Sequence, residues 1–285
     1  MEKFSNYRDK ATGISPFMPV EPPKSSVALL PLRVIYFISK LPLILAGFFF
    51  ALVSPAMGSN FLLLIVGGLN SCTVLVDGVK KRAVDTISKS LPKPGDIVFA
   101  NHITPMDGYI YQIVANRSVY IVKADPEGFL HLYSPFKLFW NSFDESLESK
   151  GKRVKSLDEL KDRPIIILME GTTSNNKGLL PFINVFSRGG HYKLDGNIKS
   201  LVIKINPGYL TLALPNITPL QYCFRLFATL NTKDNNIKAK IHKFESYDVK
   251  AVRGAFEENG LPLLANNLTV ATKRKLIADY KESSS

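Results

Sequence analysis

The chain passes from a polar opening into one long apolar stretch, and then into short apolar runs separated by polar segments. Residues 1–26 are polar and interrupted by Pro16, Pro19, Pro22 and Pro23, which a helix interior does not accommodate, so they read as a tail lying on a surface. From Leu41 to Val76 no charged residue occurs. An interruption at 54–60 divides that run into arms at 41–53 and 61–69. Each arm falls short of the roughly 20 residues that cross a bilayer. The pattern predicts a hairpin that enters and leaves one leaflet; a single tilted crossing from Leu41 and a buried helix pair are the alternatives. Just upstream, residues 27–39 carry Arg33, followed by Lys40, beside Leu29, Ile35, Tyr36 and Phe37, the pattern of an interfacial helix. The division that follows is a polar tail at 1–26, a membrane-associated hairpin at 27–76 and a catalytic-size domain at 77–285.

Beyond the apolar stretch the period changes. Ile97, Val98 and Phe99 form a short apolar run after a Pro-Lys-Pro-Gly turn. Residues 118–123, 201–205 and 237–244 read as further strands, and Ile165, Ile166, Ile167 and Leu168 within 164–169 as a strand covered on both faces. Helices are predicted at 107–115, at 249–258 with a stop at Gly260, and at 268–280, with a short one capped by Ser156 and Glu159. Residues 126–143 place Phe129, Tyr133, Phe136, Phe139 and Trp140 at helical spacings, which fits a core-packing helix or a face turned to acyl chains or membrane. Strands alternating with helices predict an α/β domain, with a mixed, largely parallel sheet flanked by helices.

Composition adds the partners. A chain of 285 residues, 46% hydrophobic, can bury one substantial core, and its 36 Lys+Arg against 24 Asp+Glu give a net charge of +12. That sign favours nucleic acid, phospholipid headgroups or phosphorylated cofactors. No nucleic-acid reader motif is present, and so none of that class is expected as a partner. Lys80, Lys81 and Arg82 directly follow the apolar run, which places the domain on the cytosolic side. Cys72 and Cys223 are too few for a disulfide framework and lack metal-ligand spacing, so no metal is expected.

The chemistry lies at the ends of the two clearest strands. The run at 97–99 leads into Asn101 and His102, after which Thr104 can cap a helix, Pro105 suits its first turn and Asp107 falls three residues past the cap. An imidazole and a carboxylate are thus delivered to one corner. A carboxylate on the second ring nitrogen holds a histidine base in one tautomer and stabilises its protonated form. The strand at 164–169 ends in Glu170-Gly171-Thr172, placing a second carboxylate at the carboxyl end of an interior strand, where open α/β sheets bind substrates. No Gly-x-Ser-x-Gly elbow occurs, so the histidine would act on a hydroxyl brought by the substrate. Taken singly, Asp107 also reads as a helix-capping carboxylate and Glu170 as a solvated strand end.

Together, Asn101-His102-Ile103-Thr104-Pro105-Met106-Asp107 and Glu170-Gly171-Thr172, both behind an apolar hairpin, resemble the glycerolipid acyltransferase family that includes the lysophosphatidic acid acyltransferases. That family is marked by an Asn-His-x-x-x-x-Asp block and a Pro-Glu-Gly-Thr-Arg-type block. The opening, from Met1 to Asp9 with Gly13-Ile14 and Pro16-Phe17, is similar to fungal members of the endoplasmic reticulum and lipid droplets. The resemblance implies acyl transfer from acyl-CoA, as co-substrate, to the free hydroxyl of a lysophospholipid, lysophosphatidic acid giving phosphatidic acid, with no cofactor or metal. His102 would be the general base and Asp107 would orient it, while Glu170, Gly171 and Thr172 would bind the acceptor. It also implies residence at the endoplasmic reticulum membrane and lipid droplet, with the domain facing the cytosol.

Two departures qualify the headgroup. Met169 and Thr173 stand where the family has proline and arginine, leaving Lys177, or Lys152 and Arg153, as phosphate ligands. Asn141-Ser142-Phe143-Asp144-Glu145 is the nearest stretch to a Phe-Ile-Asp-Arg-type block and lacks its arginine. The alternative is a catalytically inactive membrane or lipid-droplet organising protein that retains the fold. The lost arginine favours it; the intact His102 and Asp107 pair opposes it.

Overall fold

The short apolar runs become strands of one sheet in the computed structural model, which describes residues 2–23, 27–186 and 192–283. The chain opens with α1 (Leu30–Val53) and α2 (Pro55–Asn60), which continues as a π-helix over Phe61–Val66, then β1 (Ser71–Val76) and α3 (Val84–Ser90). Next come β2 (Ile97–Ala100), α4 (Asp107–Ala115), β3 (Tyr120–Ala124), β4 (Leu130–Tyr133), α5 (Pro135–Asn141) and β5 (Lys152–Arg153). The remainder is β6 (Ile165–Leu168), β7 (Ile198–Asn206), α6 (Pro219–Phe227), β8 (Asn236–Phe244), α7 (Val249–Glu258) and α8 (Val270–Glu282).

The strand order is β1-β8-β7-β2-β6-β3-β4-β5. Pairings β1–β8, β7–β2, β2–β6 and β6–β3 are parallel, and β7–β8, β3–β4 and β4–β5 are antiparallel. The α/β class, with a mixed and largely parallel sheet between helices, is the one the sequence predicts. Strands β7, β2, β6 and β3 all point their carboxyl ends to one edge, which is what positions the site. Alternation divides their side chains between two cores: Val98, Ile121, Ile166 and Leu201 face α1, α4 and α6, while Phe99, Val122, Ile167 and Val202 face α7.

The N-terminal hairpin is present, with different bounds. α1 runs for 24 residues, about 36 Å at helical rise, and by length and composition could cross a membrane. After the Ser54-Pro55 turn, α2 and the π-helix return against it. Gly58 permits that contact, because a Cβ there would lie 2.2 Å from Ala51 N. Arg33 and Lys40 do not form a solvated polar face as an interfacial helix would. Arg33 Nε donates to Ala228 O at 3.2 Å, and Lys40 Nζ to Val66 O at 2.7 Å and Phe227 O at 3.3 Å, so both cations satisfy carbonyls at helix ends. The outer face exposes Leu32, Ile35, Ile38, Leu45, Phe49 and Leu52.

Three boundaries move. Residues 71–76, grouped with the hairpin for want of charge, are the edge strand β1, since a charge-free edge strand has the composition of a membrane arm. Within 126–143 the chain forms β4 before the helix α5, turning at Gly128 (φ +86°), with Asp125 Oδ1 accepting from Glu127 N and Phe129 N. Residues 2–18 are no loose tail, because Phe17 is fully buried with Leu180, Leu268 and Leu276. The junction at 24–26 lies outside the described residues.

Candidate active site

β2 and β6 are neighbours in register, Phe99 opposite Ile167, so Asn101-His102 and Met169-Glu170 leave the sheet side by side. Asn101 then extends the sheet with its side chain: Nδ2 donates to Ile203 O at 2.9 Å, and Ile203 N donates to Oδ1 at 2.8 Å, tying the chain to β7. Tyr111 of α4 donates its hydroxyl to Asn101 O at 2.7 Å. His102 N donates to Glu170 Oε1 at 3.0 Å, and His102 O accepts from Ser174 N at 3.0 Å. The histidine backbone is therefore fixed from both sides.

Asp107 gathers the loop around itself. Its Oδ2 accepts from Ile103 N (2.6 Å), Thr104 N (3.1 Å) and His102 Nδ1 (2.8 Å), and its Oδ1 from Thr104 Oγ1 (2.7 Å). Helix α4 begins at Asp107, and residues 104–106 form a turn in which Thr104 Oγ1 accepts from Met106 N at 3.1 Å. Neither Thr104 nor Asp107 caps the helix as the sequence suggests; the Asp107 carboxylate closes the loop before it and is the histidine's partner as well. With Asp107 accepting at Nδ1, the ring carries its hydrogen there and its lone pair on Nε2, which has no hydrogen-bond partner among the described residues. Burial, opposed by Asp107, holds the His102 pKa below the usual 6.5. The lowered pKa favours the neutral ring.

The acceptor residues expected from sequence behave differently. Glu170 is buried, and both oxygens are occupied by backbone donors, His102 N on Oε1 and Leu180 N (2.9 Å) on Oε2. It holds the loop rather than facing an open cavity. Burial pushes its carboxyl up to about 8, against the pull of those two N–H groups and of Lys273. Gly171 adopts φ +69°, where a Cβ would lie 2.5 Å from Ile183 Cδ1 and 3.0 Å from Ala124 O. Thr172 is buried, its hydroxyl accepting from Lys273. Lys177 is exposed, and Arg153 lies on the edge strand β5, three strands beyond β6, its guanidinium 3.4 Å above the Phe129 ring. Neither side chain is hydrogen-bonded or ion-paired to His102, Asp107 or Glu170.

Two other cations are brought close. Lys273 of α8 is 1% exposed, and its ammonium donates to Thr172 Oγ1 (2.9 Å), Thr173 O (2.8 Å) and Thr173 Oγ1 (2.9 Å). Lys123, at the carboxyl end of β3, is buried with Asn141 Oδ1 as its hydrogen-bond acceptor and the Tyr133 ring 5.1 Å away. Both charges act on His102, and burial lowers both ammonium pKa values, that of Lys123 to about 8. The signals for them were present. Lys123 closes an apolar β-run, and Lys273 shares the helical face of Val270, Leu276 and Ile277.

The chain is similar along nearly its whole length to proteins named as lysophosphatidic acid acyltransferases. Lysophosphatidic acid:oleoyl-CoA acyltransferase 1 of Saccharomyces cerevisiae is 27% identical over 304 residues, spanning 98% of this chain and 97% of that protein. A Schizosaccharomyces pombe protein named for the same activity is 25% identical over 236 residues, covering 76% of this chain and 77% of its own length. Among solved structures, the 1-acyl-sn-glycerophosphate acyltransferase PlsC of Thermotoga maritima matches at 19% identity over 81% of this chain and 95% of that one, with a TM-score of 0.33, too low to carry an argument. No family model matches.

Proposed function

We propose that this chain transfers an acyl group from acyl-CoA to the free hydroxyl of lysophosphatidic acid, giving phosphatidic acid and CoA. The observation that carries the reading is the buried 2.8 Å pair of His102 Nδ1 and Asp107 Oδ2, with Nε2 unengaged, at the carboxyl edge of the sheet. The full-length similarity to yeast proteins named for that reaction supports it. In this reading His102 Nε2 takes the hydroxyl proton as the oxygen attacks the thioester carbonyl. The C–S bond then breaks, and the imidazolium returns the proton to the departing thiolate. Asp107 holds the ring's orientation and stabilises the imidazolium between those events. No covalent enzyme intermediate is required.

Lys123 and Lys273 take the place of Lys177 and Arg153 as the source of positive potential for an acceptor phosphate. A charge-assisted hydrogen bond contributes about 1.5–3 kcal/mol. Lys123→Met is therefore expected to raise KM for lysophosphatidate about tenfold or more while leaving KM for an uncharged monoacylglycerol acceptor unchanged. Equal changes for both acceptors, in steady-state assays, would remove Lys123 from phosphate binding.

The exposed apolar face of α1 supports attachment to a lipid surface, with the hairpin lying in one leaflet and the domain on the cytosolic side of the endoplasmic reticulum or lipid droplet. The basic residues at 80–82 and the net charge of +12 support the same orientation. Three Asn-x-Ser/Thr sequons, at Asn116, Asn216 and Asn267, provide a check, because glycans on any of them would put the domain in the lumen.

The deciding experiment incubates the purified protein with labelled oleoyl-CoA and a panel of lysolipids. Labelled phosphatidate from lysophosphatidate is the expected product. Absence of transfer to every acceptor, with vesicle binding retained, would overturn the reading in favour of a non-catalytic organising role.

A further inference from the structure

The opening segment, residues 2–18, has no part in the reaction described above, yet it folds back over the carboxyl edge of the sheet. Its anchors are specific. The Phe4 ring lies 5.9 Å from that of Tyr280, and Tyr7 donates its hydroxyl to Asp279 Oδ2 at 2.5 Å. Asp9 Oδ2 accepts from Thr12 N at 2.7 Å and its Oδ1 from Ala265 N at 3.0 Å, which closes a turn through Gly13 (φ +71°). Phe17 then inserts fully into the core formed with α8.

The last part of the segment converges on one residue. Asn175 Nδ2 donates to Ser15 O at 2.8 Å and to Met18 O at 3.0 Å, while Asn175 N donates to Pro16 O at 2.8 Å. Its neighbour Ser174 donates its N–H to His102 O at 3.0 Å. The histidine backbone is thus held by a residue adjacent to the one the segment grips. The same loop is held at its other end by Lys273, whose ammonium binds Thr172 and Thr173 and lies 5.7 Å from the Phe17 ring.

We infer that residues 2–18 are an intramolecular strap that positions His102, acting through Asn175 and the loop at 172–175. The inference rests on His102 being the base of the proposed reaction. A base displaced by about 1 Å loses on the order of a hundredfold in rate, although its own chemistry is intact. Loop 172–175 belongs to no helix or strand, so it is held over the histidine by side-chain and backbone bonds alone: those of Lys273 at Thr172 and Thr173, and the three from Asn175 to the segment at its other end. Releasing those from Asn175 leaves the ring's bond to Asp107 in place. The consequence is a base of unchanged protonation in a less defined position: kcat falls while KM for either substrate, and the acid limb of the pH profile, stay where they are.

The test uses the whole chain carrying Asn175→Ala or Asn175→Asp, the first removing the two side-chain bonds to the segment together with the one Oδ1 accepts from Lys177 N, and the second keeping that acceptor while turning a carboxylate toward the Ser15 and Met18 carbonyls. Rates are taken per folded molecule, from thermal melts of the same samples, with His102→Ala in parallel. The expected result is kcat lowered about 10- to 100-fold with both KM values within about twofold of wild type. Wild-type kcat per folded molecule, beside an inactive His102→Ala, would overturn the strap's role alone. Failure of both Asn175 variants to fold would assign the segment to stability and overturn it equally. Activity surviving in His102→Ala would instead remove the reading of the base on which the inference stands.

Discussion

Replacing His102 with alanine is expected to reduce acyl transfer by about 100- to 10,000-fold, the range general-base catalysis contributes. The variant should fold, because the bonds from Glu170 and Ser174 reach the histidine backbone and survive truncation of the ring. Asp107→Asn gives the complementary result. It keeps the size of the side chain and an oxygen for the N–H groups of Ile103 and Thr104, but removes the charge that raises the His102 pKa. In wild type, activity is retained while the ring is neutral and is lost as pH falls through a value below 6.5. In Asp107→Asn that acid limb should move to still lower pH while kcat drops, since the ring loses both its orientation and its imidazolium stabilisation. Initial rates across the acid range check both statements, and unaltered turnover in His102→Ala would dismiss the mechanism.

Glu170→Ala is expected to cost more in folding than any surface change. It strips the acceptor from two buried backbone donors, His102 N and Leu180 N, each left unsatisfied at about 1–3 kcal/mol. Together these approach the whole stability of a marginal domain, about 5–15 kcal/mol. Glu170→Gln keeps one acceptor but turns an amide donor toward the other N–H, so it should lie between. The pH dependence has a definite sign. A carboxyl held at about 8 in the folded chain keeps a proton that the unfolded chain releases above its ordinary 4.5, so its contribution is fully present below 4.5 and declines as pH rises toward 8. Glu170→Gln lacks this decline. Urea denaturation at acid and neutral pH measures the difference, and identical slopes for the two proteins would refute it.

The parallel centre of the sheet was legible because buried strands announce themselves as continuous β-branched runs, and Ile165–Leu168 lies within its predicted span. Helix α7 matches its predicted ends, with Gly260 (φ +69°) beyond it. Both blocks were legible as polar residues at strand ends. The short strands β4 and β5 have too few residues to show a period, and the edge strand β1 was hidden by its lack of charge. Helix α6 carried a full signal, Thr218 as cap, Pro219 in the first turn and Gln221 completing the box, in a stretch where apolar periodicity did not draw attention to it. Lys123 and Lys273 were missed for another reason: a lysine in a sequence reads as solvent-facing, and that expectation outweighed the apolar neighbours each has at strand or helix spacing. Phe4, Tyr7, Ile14 and Phe17 stand among polar residues and are interrupted by Gly13 and Pro16, which concealed a packed segment.

The two cations of α1 bear on how the apolar helix is joined to the rest of the molecule. Because Arg33 and Lys40 rivet the helix to the ends of α6 and the π-helix, and the Phe48 ring lies 5.6 Å from Tyr109 of α4, the float and the cargo it carries are one stiff body. For a molecule attached to lipid through α1, as proposed, the height of the sheet's carboxyl edge above the oily layer would then be set by side-chain joinery and not by the slack of a tether. In that arrangement, exchanging the hairpin for an unrelated anchor of equal greasiness would keep the attachment and lose the altitude.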